Sequence, residues 1–200
     1  MTIRRVNVGL VPGRDCGGCN VCCVAPAIDH PPELQKLNGI RCQHNGCDNL
    51  CAIYETRPEP CRAFHCGYRQ LEWIQETLKP SRSGVFVHLR HERTGSRAEG
   101  KIGVLFTILD ATALDAEGLA ESVAAGVRED QPIYLGVPGP PGFASAVARL
   151  NEAVEIAVVM KNMPEIRRIL HEAYADLDGD AREPLTLRSS TGGVAEPPVV

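Results

Sequence analysis

Nine cysteines lie between Cys16 and Cys66, and none follows Cys66. Thiolates are soft donors, and four of them arranged tetrahedrally suit Zn2+ or the iron atoms of an iron–sulfur cluster. Residue type and confinement therefore point to a metal or cluster site in the first third of the chain. The dense part reads C-x2-C-x2-C-C at Cys16, Cys19, Cys22 and Cys23, and Cys42, Cys47, Cys51, Cys61 and Cys66 follow it. A C-x2-C turn brings two sulfurs to one metal. Cys16, Cys19 and Cys22 match the first three ligands of a ferredoxin run, but its fourth ligand position is not Cys here and Cys23 follows at once, which excludes a ferredoxin. Adjacent residues point to opposite sides of an extended chain, so Cys22 and Cys23 either serve different metals or one of them is spare.

Further along, the string Cys51-Ala52-Ile53-Tyr54-Glu55-Thr56-Arg57-Pro58 leads into Cys61-Arg62-Ala63-Phe64. Together with the leading C-G-G-C-N-V-C-C, it resembles the YkgJ-type cysteine-cluster family, described as a zinc- or iron-chelating domain. The resemblance covers about Cys16 to Cys66, a quarter of the chain. It implies a cluster of cysteine ligands holding an iron–sulfur cluster or zinc, with no settled reaction for most members; one similar domain accompanies a flagellin lysine methylase. Carried over by position, Cys16, Cys19, Cys22, Cys23, Cys42, Cys51, Cys61 and Cys66 match the motif, and Cys47 is the surplus one. The stretch between Cys42 and Cys51 leaves open which of Cys42 and Cys47 ligates. Such a set can build two four-Cys sites, and His44 or His65 can replace one sulfur.

Arg57 and Arg62 are the expected cofactor-binding cations, because a guanidinium can donate to thiolate or sulfide and tune potential or affinity. Tyr54 and Phe64 read as packing residues that shield the site. His30, His88, His91 and His171 have no ligand-like spacing and read as surface or satisfied core residues.

The rest of the composition bounds the protein class. A chain of 200 residues with 44% apolar content is that of a soluble globular protein of one domain or two small ones. Residues 1–80 carry nine Lys/Arg against eight Asp/Glu, and residues 81–200 carry twelve against seventeen. Neither half has the electrostatic footprint of a nucleic-acid binder. Metal binding turns thiols into thiolates and drives local charge negative, and Arg14, Arg41, Arg57, Arg62 and Arg69 lie among the cysteines to offset it. No run approaches a bilayer span, and Met1 to Arg14 lacks the apolar core of a secretory signal. The expectation is a cytoplasmic protein with reduced thiols, no membrane and no nucleic acid, and an unidentified protein partner.

These cysteines need elements to position them. Residues 1–80 form the expected Cys-rich metal domain, loop-rich because His30-Pro31-Pro32 and Arg57-Pro58-Glu59-Pro60 break any long helix. Only Pro32–Leu37 and Gly67–Leu78 look helical. A segment of this size is marginal without metal support. Residues 81–180 predict a small mixed sheet with packed helices, giving an α+β fold class overall. Val85 to His91 alternates as a half-buried strand, and Lys101 to Asp110 is a continuously apolar central strand, with Glu92–Gly100 as the loop of an antiparallel pair. Asp115–Arg128 predicts a helix and Pro132–Val137 a third strand, closed by a rigid Gly136–Gly142 connector. Phe143, Ala146, Val147, Leu150, Ala153, Val154, Ala157 and Val158 follow helical spacing and predict one long helix. Pro164 opens a last helix, and Gly179 closes it. Residues 181–200 read as a disordered tail.

Two functional readings follow. In the first, the chain is a cytosolic metal-binding protein whose iron–sulfur cluster or zinc has a redox role or assists a partner enzyme. In the second, zinc is a structural staple in a non-catalytic interaction protein. A disulfide scaffold needs an oxidising compartment and fits poorly.

Overall fold

Pro and Gly leave the Cys-rich segment no room for long helices, and it folds as turns and single helical turns. In a computed structural model of the chain, which describes residues 9–46, 50–91 and 102–186, this part contains α1 (Glu59–Ala63), α2 (Gly67–Gln70) and α3 (Pro80–Ser83). Single 3-10 turns stand at Val21–Cys23, Pro32–Leu34, Tyr54–Thr56 and Glu76–Leu78. The helix expected over Pro32–Leu37 is only its first turn, because Gln35 leaves the helical region and Lys36 pairs back with Ile28. The helix expected over Gly67–Leu78 is broken. Leu71 is extended, and the carbonyls of Tyr68, Leu71 and Ile74 turn to the Arg14 guanidinium instead of continuing a helical ladder.

The second part is the expected mixed sheet. Strand β1 (Val85–His91) runs antiparallel to β2 (Ile102–Ile108), β2 runs parallel to β3 (Ile133–Val137), and β3 runs antiparallel to β4 (Ala146–Arg149), in the order β1-β2-β3-β4. The loop expected over Glu92–Gly100 lies outside the described residues, but the antiparallel pairing it implied is present. A parallel pair needs a crossover, which a 3-10 turn at Ala111–Asp115 and α4 (Leu119–Arg128) provide.

One expectation fails here. The long helix read from Phe143 to Val158 is a strand followed by a helix: β4 ends at Arg149 and α5 runs from Asn151 to Val159. Ala146, Val147 and Leu150 satisfy a helical period, but β3 presents an open edge, and pairing Val137 with Ala146 and Leu135 with Ala148 satisfies those backbone groups. Asn151 fixes the corner by accepting from the Ile133 amide at 2.8 Å and donating to the Gln131 carbonyl at 2.8 Å. The last helix, α6 (Met163–Asp178), starts with Pro164 in its first turn under an Asn162 cap and ends at Gly179, as its sequence signals require.

Val87, Val104, Phe106, Ile133 and Leu135 from the sheet meet Leu119, Val123, Val154, Ile166 and Leu170 from the helices in one apolar cluster. Tyr68, Ile74 and Leu78 belong to the same cluster, and Cys66 and Trp73 pack against it. Gly67 makes this junction: a Cβ there would sit 2.6 Å from Val87 Cγ1, so only glycine lets α2 lie on β1. Of the segment expected as a tail, residues 181–186 run beside Gly142–Ala144, just before β4, with the Leu185 amide donating to the Gly142 carbonyl and the Ala144 amide to the Glu183 carbonyl. Residues 187–200 lie outside the described residues. Among the described residues, no helix is long and apolar enough to cross a membrane.

Candidate metal centre

Backbone hydrogen bonds bring the cysteines together from distant parts of the chain. The Cys16 carbonyl accepts from the Cys19 amide at 2.9 Å, closing the first C-x2-C turn. The 3-10 turn Val21–Cys23 then presents Cys22 and Cys23 side by side. The Cys42 amide donates to the Cys23 carbonyl at 2.8 Å, which places Cys42 beside the vicinal pair. Asn45 bridges to Cys51, and Cys61 begins a turn on the Pro58 carbonyl. At the far end, the Val11 amide donates to the Arg69 carbonyl at 2.8 Å, so the segment leading into Cys16 lies beside α2, which Cys66 precedes.

The thiols influence one another in overlapping sets. Cys66 is raised by burial and by the negative charge of Cys16 and Cys19, against amide donors from Arg69 and Tyr68. Cys22 is raised by its hydrogen bond with Cys23, by burial, and by Cys16 and Cys19. Cys66 and Cys22 thus share Cys16 and Cys19 as neighbours, and Cys22 also has Cys23. Cys61 is raised by burial and by Cys42, Cys23 and Cys51, with Arg57 opposing. Cys61 therefore stands near enough to Cys42, Cys23 and Cys51 to feel their charge. Cys23 is lowered to about 6, first by the hydrogen bond from Cys22 and then by Lys36 and Arg57.

All eight thiols are free and partly buried. Among the described residues, no three His, Cys, Asp or Glu side chains yet converge tightly enough to hold an ion. The groups are gathered but not closed, since electrostatic influence reaches further than a metal–sulfur bond. In kind and number the donors fit a thiolate-bound metal, which requires soft ligands in fours. Cys47, the surplus cysteine, lies outside the described residues.

Three cations hold this arrangement. Arg14 is buried and donates to the carbonyls of Tyr68 at 2.9 Å, Leu71 at 3.0 Å, Glu72 at 3.4 Å and Ile74 at 2.7 Å, with its guanidinium over the Tyr68 ring. Arg69 donates to the Arg14 carbonyl at 3.2 Å and lies 3.8 Å from Cys16 Sγ. Lys36 is 6% exposed and donates to the carbonyls of Val24 and Pro26, the residues that follow Cys23. Burial lowers its pKa while Cys42, Cys23 and Cys22 raise it, so the ammonium sits among the thiols. The sequence carried a signal for Arg14 and Arg69, which stand near Cys16 and Cys66. It carried none for Lys36.

The remaining expected residues are placed as follows. Arg57 lies between Cys23 and Cys61 electrostatically and stacks on Tyr54, 3.7 Å from the ring centroid. Arg62 is exposed on α1. Tyr54 is 51% exposed and serves as the platform for Arg57, so it does not shield the site by packing inward. Phe64 does pack, with its ring 6.2 Å from Phe86. His65 Nδ1 is 3.4 Å from Arg69, and its pKa is lowered by burial, Arg69 and Arg57. His44 is half-buried next to Gln43.

The chain is 41% identical over 56 aligned residues to a UPF0153 protein of Vibrio cholerae, an alignment covering 25% of this chain and 68% of that relative. No family model matches the chain. No solved structure matches it.

Proposed function

Starting from a chain that belongs to the UPF0153 family, we propose that it is a metal-binding protein with two four-thiolate sites. Cys16, Cys19, Cys22 and Cys66 make one site, and Cys23, Cys42, Cys51 and Cys61 make the other. What supports this reading is the set of backbone links that join Cys19 to Cys16, Cys42 to Cys23 and Val11 to Arg69, with Cys66 perturbed by Cys16 and Cys19 and Cys61 by Cys42, Cys23 and Cys51 in keeping with it. Two sites of four leave Cys47 as the spare thiol. When bound, an iron–sulfur cluster would supply electron transfer or redox sensing, whereas zinc would supply a cross-link. The chain's own part is to gather the thiols through Arg14 and Lys36 and to offset thiolate charge with Arg57, Arg69 and Lys36. The best reading of its role is a redox or accessory protein of the cytoplasm acting on a protein partner, without nucleic acid or membrane.

Metal and acid-labile sulfide analysis, with a visible spectrum, on protein purified without oxygen tests this reading. Iron with matching sulfide supports the redox role. Zinc without sulfide, two atoms per chain, supports the stapled alternative, which the scarcity of buried apolar residues around the thiols favours. Cys19→Ser and Cys51→Ser should each empty one site and leave the other filled, whereas Cys47→Ser should leave metal content unchanged. A protein that keeps all its thiols reduced and binds neither metal overturns the proposal.

A further inference from the structure

Asn45 is 8% exposed, yet neither its Nδ2 nor its Oδ1 has a hydrogen-bond partner among the described residues. Leaving a buried amide unpaired is costly, so such a group in a folded chain calls for a physical account.

The backbone shows what stands beside this carboxamide. The Gly46 amide donates to the Leu50 carbonyl and the Ala52 amide to the His44 carbonyl, each at 2.8 Å. These two bonds flank Asn45 and Cys51, which form an antiparallel bridge between them. Asn45 and Cys51 are therefore an antiparallel pair of the non-hydrogen-bonded kind, whose side chains leave the same face with Cβ atoms about 4.5–5.5 Å apart. Because Asn45 is buried, the face it shares with Cys51 is turned inward. The Asn45 amide also donates to the Cys42 carbonyl at 3.0 Å, so the residue stands between two of the proposed ligands. A carboxamide N–H is a donor, and a thiolate sulfur accepts.

We infer that Asn45 is a positioning residue of the metal centre, its Nδ2–H donating to the Cys51 thiolate when that sulfur binds a metal. The inference rests on the proposed site of Cys23, Cys42, Cys51 and Cys61. Such a bond draws charge from the sulfur and so tunes how strongly Cys51 donates to the metal. It also relieves the unpaired amide. The orphaned carboxamide thus favours the loaded state over the metal-free one, whichever metal the thiols bind.

Co2+ titration of the full chain, reduced and freed of bound metal under nitrogen, tests it through the thiolate-to-cobalt charge-transfer absorption. In a Cys19→Ser background, where the Cys51 site remains, Asn45→Leu should weaken Co2+ binding about 10–100-fold. The charge-transfer band should move to longer wavelength, because a sulfur that has lost a donor gives up charge more readily. In a Cys51→Ser background the same change should leave affinity and band where they were. Hydrogen exchange at the Gly46 and Ala52 amides should match the parent's, which shows the hairpin intact. An unmoved band and affinity in the Cys19→Ser background would overturn the inference while the two-site reading stands. An equal loss in the Cys51→Ser background, or faster exchange at Gly46 and Ala52 alongside the lost affinity, would also overturn it, by showing that Asn45 acts on the fold and not on the sulfur. A parent chain that takes up no Co2+ would overturn the metal-binding reading and this inference with it.

Discussion

The segment from Val11 to Cys66 and the sheet from Val85 to Arg149 are held together by opposite means. In the sheet and its helices, the described buried residues are predominantly apolar, with Thr107 and Ser122 the polar exceptions: Val85, Val87, Phe106, Ile133, Leu135, Val154, Ile166 and Leu170 are fully excluded from solvent. In the Cys-rich segment, Leu34 is buried together with Arg14, Lys36, Asn38 and Asn45. Its thiols are only partly buried. Hydrophobic burial is non-directional and needs no ligand. Cations donating to backbone carbonyls are directional, and they fix where the chain goes without supplying much net stability. The difference teaches that the sheet is secured by burial, whereas the thiol segment is shaped by directional contacts and, on the proposed reading, would gain a cross-link from a bound metal.

The contrast can be broken or sharpened in graded steps. The largest effect is expected from Leu135→Ala, which removes a fully buried side chain and should lower unfolding free energy by about 4 kcal/mol. Urea titration followed by the fluorescence of Trp73, the sole tryptophan, measures it, and the metal content of the folded fraction should not change. Acid comes next. His88 is lowered to about 4 by burial and Arg90, while the unfolded chain takes the proton near ~6.5. Protonation therefore favours unfolding, and stability should be intact above ~6.5 and fall by about 2–3 kcal/mol between pH 7 and pH 4.5. His88→Gln should flatten that part of the profile, and an unchanged slope would place the acid sensitivity elsewhere.

Arg14→Leu should cost about 2 kcal/mol, because the carbonyls of Tyr68 and Ile74 lose a buried donor. Its signature is regional: hydrogen exchange should quicken around residues 66–74 while the amides of β2 and β3 keep their protection. Equal loss of protection in both regions would erase the contrast. The smallest effect is expected from Arg168→Ala. Arg168 pairs with Glu165 and Glu172 on the open face of α6, and such exposed pairs contribute little. Its urea midpoint should match that of the parent protein.

What could be read in advance follows the same division. Strands β1 to β3 and helix α6 were legible because burial imposes a period on the sequence, as in Val85, Val87 and Leu89 or Ile166, Leu170 and Leu177. Strand β4 was not, since Ala146, Val147 and Leu150 suit a helix equally well; the open edge of β3 decides between them, and that edge exists only after folding. The cysteines were legible as donors by type. Their grouping was not, because it depends on links such as Cys42 to Cys23 and Val11 to Arg69, whose partners lie far apart in sequence. Lys36 was illegible altogether. A lysine in a short polar stretch gives no sign that its ammonium will be turned inward to the carbonyls of Val24 and Pro26.

The Arg14 clasp also has an entropic meaning. Arg14 and Tyr68 are 54 positions apart, and closing a flexible loop of that length costs about 3–4 kcal/mol. The folded protein has already met that cost, so Cys16 and Cys66 stand at high effective concentration toward each other. If those thiols bind a metal as proposed, affinity there would reflect movement over the last few ångströms, not the capture of a free chain.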